Sequence, residues 1–357
     1  MTITAEQRRA RILEVVRELG TVRVMDLAER VGTAPVTVRR DVAALADDGL
    51  LRRSHGAVSL PLGDSTSAAA PGRDRVIGML VPTVGSYFDE VIDGVRAAAT
   101  AAGARLVLGI ASYESADDFA QVEQLLDAGL DGLLMTPNWR PGSDIGDSAW
   151  IRDLPVPAVL VERIATPEST AAELDSVGSD HRHGVLLALR HLVSLGHESV
   201  LLAAREDSWT AHQVRAGYAE GVQLLGIEPQ PVIDIHRPGL ESDAVAARIS
   251  EAVADGVRAV LVHNDQEAIQ LVPLLRARGL RVPDDLALIS YDDVFAALAA
   301  PPLTAVAPPK RAVGTAALEL MLRRLGDEPD LPVHHVRLLP ELKVRASCGG
   351  RSDDEVR

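Results

Sequence analysis

One cysteine, Cys348, is the only thiol among 357 residues, so no disulfide can close within the chain. Nearly half the residues are hydrophobic, yet no stretch approaches the ~20 consecutive apolar residues that a membrane-spanning helix requires. The first residues, MTITAEQRRAR, carry charge with no apolar segment behind it, which is not the pattern of a secretory signal. With the solitary thiol, this leads us to expect a cytoplasmic protein with no membrane partner. A Gly-rich phosphate loop, a nucleophile elbow and zinc-type Cys/His spacing are all missing, and no Ser, His and Asp set is marked out. His181-Arg182-His183 and His334-His335 have no third ligand spaced to join them. We therefore expect no enzyme chemistry, no metal and no cofactor. Cys348, close to a polar tail, reads as a bystander rather than a redox switch.

Positive charge is also in deficit, with a net charge of -15. An even spread would argue against a nucleic-acid partner. The spread is not even: residues 1–60 hold ten arginines against eight acids, a balance of +2, which leaves -17 on the remainder. A slightly basic head on an acidic body suits a chain whose head alone touches phosphate.

In that head, Ile12, Leu13, Val16 and Leu19 keep one helical face until Gly20, and Val24, Leu27, Ala28 and Val31 do the same until Gly32. A third helix is expected from Pro35 to Asp48. Pro35 stands at a first-turn position, Val38, Val42 and Leu45 form the buried face, and Gly49 stops it. Three short helices with Gly-bearing turns make a helix-turn-helix. The segment Leu50 to Ser59 reads as two short strands pivoting near Gly56, a wing. With Val38, Val42 and Leu45 inward, Val36, Arg40 and Ala43 point the opposite way, flanked by Thr37 and Arg39. An arginine there can bond a guanine edge bidentately, while Thr37, Arg52, Arg53 and His55 are placed to hold phosphates. The alternative, that the adjacent arginines coat a solvated helix, does not account for the turn and the wing.

From Pro61 to Asp74 the composition shifts to Gly, Ser, Thr, Ala and Pro, a linker. Beyond it, apolar runs of about five residues alternate with amphipathic helical stretches. The runs are Val76 to Val81, Arg105 to Ile110, Gly132 to Met135 and Ala158 to Val161. The pattern restarts with a helix at Gly184 to Leu195 and the strands Val200 to Ala203, Val257 to Val262 and Leu286 to Ser290. This is α/β architecture with parallel, doubly wound sheets in two consecutive lobes. We divide the chain into a winged helix-turn-helix (1–60), a linker (61–74), a two-lobed effector-binding domain (75–350) and a polar tail (351–357). Ligands of open α/β sheets sit at the C-terminal ends of strands. Tyr87 and Phe88, Asn264 with Asp265, and Asp292 with Asp293 occupy such ends. The chain holds ten aromatics, and Tyr87, Phe88 and Trp209 read as stacking surfaces for a sugar ring, with core packing the alternative for Phe88 and Trp209.

Two resemblances follow from these strings. Arg9 to Val58, with Asp26-Leu27-Ala28-Glu29, Thr37-Val38-Arg39-Arg40-Asp41, Gly49-Leu50-Leu51-Arg52-Arg53 and His55-Gly56-Ala57, resembles the winged helix of DeoR-type repressors. That family usually caps its recognition helix with Ser where Ala34 stands, so Thr33 or the Ala34 backbone must serve. The body, from Val76 to Ser347, resembles the effector domain of LacI/GalR-type regulators, itself related to periplasmic sugar-binding proteins. The pieces are Val81-Pro82 with Tyr87-Phe88, Asp131-Gly132, Leu195-Gly196-His197, His263-Asn264-Asp265-Gln266, Tyr291-Asp292-Asp293, Pro301-Pro302-Leu303-Thr304 and Val344-Arg345-Ala346-Ser347.

The resemblances imply a transcriptional regulator, acting as a repressor on double-stranded operator DNA, with a small-molecule effector and a homodimeric state. They place Asp292 and Asn264 on effector hydroxyls, Glu162 where the family has Asp, and Thr136 on the same cleft wall. The family's arginine three residues before a Gly-aromatic pair is Val214 here. Arg215 is rotated by about 100° from that place, and it contacts the ligand or yields to Gln213 and His212. The family's hinge helix has no counterpart in the Pro- and Gly-bearing linker. A carboxylate pair repels anions and accepts from hydroxyls, which favours a neutral sugar over a sugar phosphate. A nucleoside or purine effector is the alternative, and a transport binding module is a third.

Overall fold

The computed structural model describes residues 8–9, 11–13, 15–16, 22–31, 33, 35–47, 51–54, 57–59, 75–84, 86–112, 118–139, 150–165, 167, 169–326 and 331–350. The chain divides into two compact units, Met1–Gly72 and Arg73–Arg357. The linker and tail expected at 61–74 and 351–357 lie outside the described residues.

In the first unit, helical residues at 8–9, 11–13 and 15–16 precede β1 (Val22–Arg23), α1 (Val24–Val31), α2 (Pro35–Asp47), β2 (Arg52–Ser54) and β3 (Ala57–Ser59). The apolar spacing read from the sequence is the core: Ile12, Val16, Leu27, Val31, Val38, Val42 and Leu45 are buried together with Leu51 and Val58. β1 pairs with β3 and β3 with β2, all antiparallel, so the wing is a three-stranded sheet rather than a hairpin.

The second unit holds two six-stranded sheets. Lobe 1 begins with β4 (Val76–Val81), α3 (Tyr87–Ala101), β5 (Arg105–Ile110), α4 (Asp118–Leu126), β6 (Gly132–Met135), β7 (Ala158–Val161) and β8 (Asp175–Ser179). Lobe 2 follows with α5 (His181–Ser194), β9 (Leu201–Arg205), α6 (Trp209–Leu225), β10 (Ile233–Ile235), α7 (Ser242–Ala254), β11 (Ala259–His263), α8 (Asp265–Ala277), β12 (Ala287–Tyr291) and β13 (Thr304–Ala307). The chain then returns to lobe 1 through α9 (Lys310–Arg324) and β14 (His335–Leu338), and ends in lobe 2 with β15 (Glu341–Lys343). Strand order is β14-β8-β7-β6-β4-β5 in lobe 1 and β10-β9-β11-β12-β13-β15 in lobe 2.

The lobes are thus not consecutive. The chain crosses between them after Ser179, before Lys310 and between Leu338 and Glu341, and alternation alone cannot reveal the return. All pairings are parallel except β13 with β15. Helices cover both faces, so central strands such as β4 bury every residue and read as unbroken apolar runs. The returning α9 lies against α3 where two glycines let the backbones touch. A Cβ on Gly94 would stand 2.0 Å from the Arg311 carbonyl oxygen, and one on Gly314 would stand 2.0 Å from that of Val91.

Candidate functional site

In the head, α2 turns Val38, Val42 and Leu45 inward and leaves Arg40 exposed, with Thr37 and Ala43 half-buried. Asp41, buried beside them, accepts from Arg8 and Arg9 and ties the first helical residues to α2. Burial opposes its charge, but those two guanidiniums hold its carboxyl below the ordinary range. Thr33 turns its hydroxyl back to the Val31 carbonyl at 3.4 Å; Ala34 lies outside the described residues. Val36 and Arg39 lie on α2 and Arg52 and Arg53 on β2. Their side chains, and His55 altogether, lie outside the described residues.

In the second unit a cavity of about 130 Å³ opens between the two sheets. Lobe 1 contributes Thr83, Ser86, Tyr87, Phe88 and Glu162; lobe 2 contributes residues at the ends of β9, β11 and β12, among them Arg205, Ser208, Asn264, Asp292 and Phe295. The two carboxylates occupy equivalent places. Glu162 directly follows β7 and Asp292 directly follows β12, and each has a left-handed backbone, φ 53° and 95°. With Asp293 at φ 49°, these are positions where a non-glycine residue costs about 1–3 kcal/mol, strain of the kind that collects at binding sites.

Their chemistry differs. Glu162 is occupied: its Oε1 accepts from the Tyr87 hydroxyl at 2.8 Å and the Ser179 hydroxyl at 2.8 Å, and its Oε2 from the Ser179 amide at 3.1 Å, with His181 Nε2 at 3.5 Å. Burial opposes its charge, yet the His181 ring and the Ser179 donors hold the Glu162 carboxyl below the usual range. Asp292 is unsaturated. Its Oδ2 accepts from Asn264 Nδ2 at 3.1 Å, whereas its Oδ1 and the Asn264 Oδ1 are buried with no partner in the protein.

Burial, and then the nearby carboxylate of Asp265, push Asp292 up to about 6, against the Asn264 donor and the fields of His181 and Lys310. Lys310, buried at the start of α9, donates to the Asp292 carbonyl at 2.6 Å and fixes its backbone. Asp265 accepts from Ser290 and from the amides of Val294 and Phe295, so it shapes the loop after β12. Burial, then the Arg205 charge, push His263 down to about 3, leaving it neutral with its Nδ1 unpartnered. The free edge of this wall is therefore rich in acceptors, and it suits a ligand that brings hydrogen-bond donors.

Residues 8–61 match the DeoR-like helix-turn-helix domain, and residues 189–348 match the periplasmic binding protein-like domain. The HTH-type transcriptional repressor PurR of Vibrio atlanticus is 30% identical over 287 residues, which cover 76% of this chain and 81% of that protein. The chain belongs to the LacI family of transcriptional repressors. The HTH-type transcriptional regulator MalR of Streptomyces coelicolor is 28% identical over 342 residues, 92% of this chain and 96% of that one. Among solved structures, a LacI family regulator from Mycobacterium smegmatis is 25% identical with a TM-score of 0.63, covering 76% of this chain and 98% of its own. A LacI family regulator from Enterococcus faecium, crystallised with bound ribose, has the same fold at 22% identity and a TM-score of 0.61, over 77% of this chain and 98% of that one. These relatives are regulators, not enzymes. Among the described residues, no helix is long and apolar enough to cross a membrane.

Of the eight effector residues expected for this LacI-family repressor, the fold gathers Tyr87, Phe88, Glu162, Asn264 and Asp292 on one cavity. Three lie elsewhere. Thr136 is buried under β7, its hydroxyl donating to the Val161 carbonyl at 3.0 Å. Arg215 caps the end of β9, donating to the Arg205 and Ala204 carbonyls, and pairs with Asp234 on β10 at 2.8 Å; Val214, one residue earlier, is buried in the lobe 2 core. Trp209 packs edge-to-face on Trp139, with centroids 6.1 Å apart, and leaves the cavity to Ser208 and Thr210 on either side. Phe88 lines the cavity while buried in the lobe 1 core. Ser179, at the end of β8 beside β7, and His181, at the start of α5, hold Glu162 and escaped the sequence reading because strand pairing brings them there, at no fixed spacing from Glu162.

Proposed function

We propose that this repressor holds operator DNA through Arg40 and its neighbours on α2, and that a small neutral polyol, a sugar, controls that hold from the cavity between the lobes. The reading has residues 1–60 on DNA, 61–74 as connector and 75–350 as receptor, working in the cytoplasm as a homodimer. The observation that carries it is the pair of unpartnered acceptors, Asp292 Oδ1 and Asn264 Oδ1, on the lobe 2 wall of a cavity that both sheets line. A vicinal diol supplies two donors, whereas a phosphate or carboxylate brings charge that Asp292 and Glu162 repel.

Glu162 then serves by fixing Tyr87 and Ser179 rather than by reaching the ligand. The exposed apolar side chains Leu108 and Ile110 on the edge strand β5, with Phe119 on α4, support a homodimer through lobe 1. A nucleoside or purine is a second reading, favoured by the Phe88 and Phe295 rings that line the same cavity from the two lobes; ring N–H and amino groups also donate. A thermal-shift screen of the full chain against monosaccharides, disaccharides, nucleosides, free bases and, as anions, sugar phosphates tests both. A ligand at a hundred times its Kd stabilises the fold by about 2.7 kcal/mol. A response confined to anions refutes the donor-rich reading.

A further inference from the structure

Trp209 stands between two residues of the cavity wall, Ser208 and Thr210, yet its own ring goes elsewhere. It opens α6, an element of lobe 2. It is 9% exposed, and its apolar cluster is otherwise built from lobe 1, including Leu80, Met135, Trp139, Ile151 and Leu160. Among the described residues, no other lobe 2 side chain enters either apolar cluster of lobe 1. The ring meets Trp139 at an interplanar angle of 69°, the edge-to-face arrangement that aromatic pairs prefer. Ser208 meanwhile caps the same helix, accepting from the Ala211 amide at 3.2 Å, so the helix start that carries Trp209 also carries cavity wall.

We propose that Trp209 is a latch between the lobes: inserted into lobe 1 it holds the cleft closed and positions Ser208 and Thr210 on the cavity. Opening about the three crossings must draw the indole out of lobe 1 into water. Loss of that burial and of the ring pair shifts the open-to-closed ratio toward open by on the order of a hundredfold. The consequence for ligand affinity rests on the cavity being the effector site; the latch itself does not.

The test uses the full chain in a Cys348→Ser background with spin labels on exposed positions of the two lobes, Glu123→Cys and Glu251→Cys, diluted with unlabelled protein. Pulsed dipolar spectroscopy is recorded with no effector present. The parent protein should give one inter-lobe distance. Trp209→Ala should add a second, distinct population, and Trp209→Phe, which keeps an apolar ring, a smaller one. Circular dichroism supplies a signature of the contact: the exciton couplet of the Trp pair should be lost in Trp139→Phe and in Trp209→Phe and kept in Trp150→Phe. If Trp209→Ala fails to fold, Trp209→Phe decides. An unchanged single distance in the folded variants overturns the latch. Because no ligand enters the measurement, that outcome leaves the effector cavity to be judged by the thermal-shift screen.

Discussion

Replacing Asp292 by Asn should make the protein more stable and less able to respond. Asp292 is lifted from the ordinary 3.8 to about 6, by burial and then by Asp265. Across that window the folded chain keeps a proton that the unfolded chain has released, so stability falls as pH rises from about 4 through 6 and stays reduced above it. Two units at ~1.4 kcal/mol each amount to about 3 kcal/mol at pH 7.5, and to about half of that near pH 5. Asn keeps the side-chain shape and can still accept from the Asn264 amide, but it carries no charge to be desolvated.

At roughly 2–4 °C per kcal/mol for a domain near this size, Asp292→Asn should melt about 6–12 °C above the parent at pH 7.5. The gain should shrink toward pH 4, while any effector-induced shift weakens. Such a gain is expected where a binding residue is held at a cost to the fold. Melting curves from pH 4 to 8 on both proteins decide. A variant that melts at or below the parent at pH 7.5, or a gain independent of pH, refutes the reasoning.

Other outcomes follow from the same geometry. Arg40→Ala should lose about 10- to 100-fold in operator affinity, the value of one bidentate base contact, with effector-induced stabilisation unchanged; gel shifts and calorimetry read the two separately. Asp41→Ala strips Arg8 and Arg9 of their buried partner and should destabilise the head by about 1–3 kcal/mol, seen as faster amide exchange in α2. Because the Asp41 carboxyl is held low, its contribution is present above the ordinary carboxylate range and is lost as pH falls below it, so the difference from Asp41→Ala should narrow in acid. Gly94→Ala drives a methyl into the Arg311 carbonyl and should cost about 1–3 kcal/mol or more in a chemical denaturation series. Gly103→Ala, with open space around its Cβ position but φ +66°, should also destabilise, through its backbone alone.

Much of this was legible in the amino-acid string because local chemistry wrote it there. Pro35 and the Val38, Val42 and Leu45 spacing gave α2, and Val76 to Val81 marked β4 to the residue because a strand covered on both faces must be apolar throughout. The strand-end rule brought Asn264 and Asp292 to the cavity. What escaped is non-local. In His335–Lys343 two residues separate two strands that join different sheets, and no property of nine residues can announce that.

Arg215 shows the same limit from the other side. The Val214 register left open whether Arg215 reaches a ligand, and only the fold reveals that it bonds the end of β9 and pairs with Asp234 on β10. Trp209 was noticed for its scarcity and read as a stacking surface or as core; one residue's rotation at a helix start turns its ring from the cavity lined by Ser208 and Thr210 to Trp139.

The decisive measurement is fluorescence anisotropy of a labelled duplex from the gene's own upstream region, titrated with parent and Asp292→Ala protein, with and without the strongest neutral compound from the thermal-shift screen. The account predicts equal binding of both proteins to the duplex in the absence of compound. It predicts a shift of roughly 5- to 150-fold on adding compound to the parent, and none for the variant. An identical shift in both proteins, or no shift in either, contradicts it.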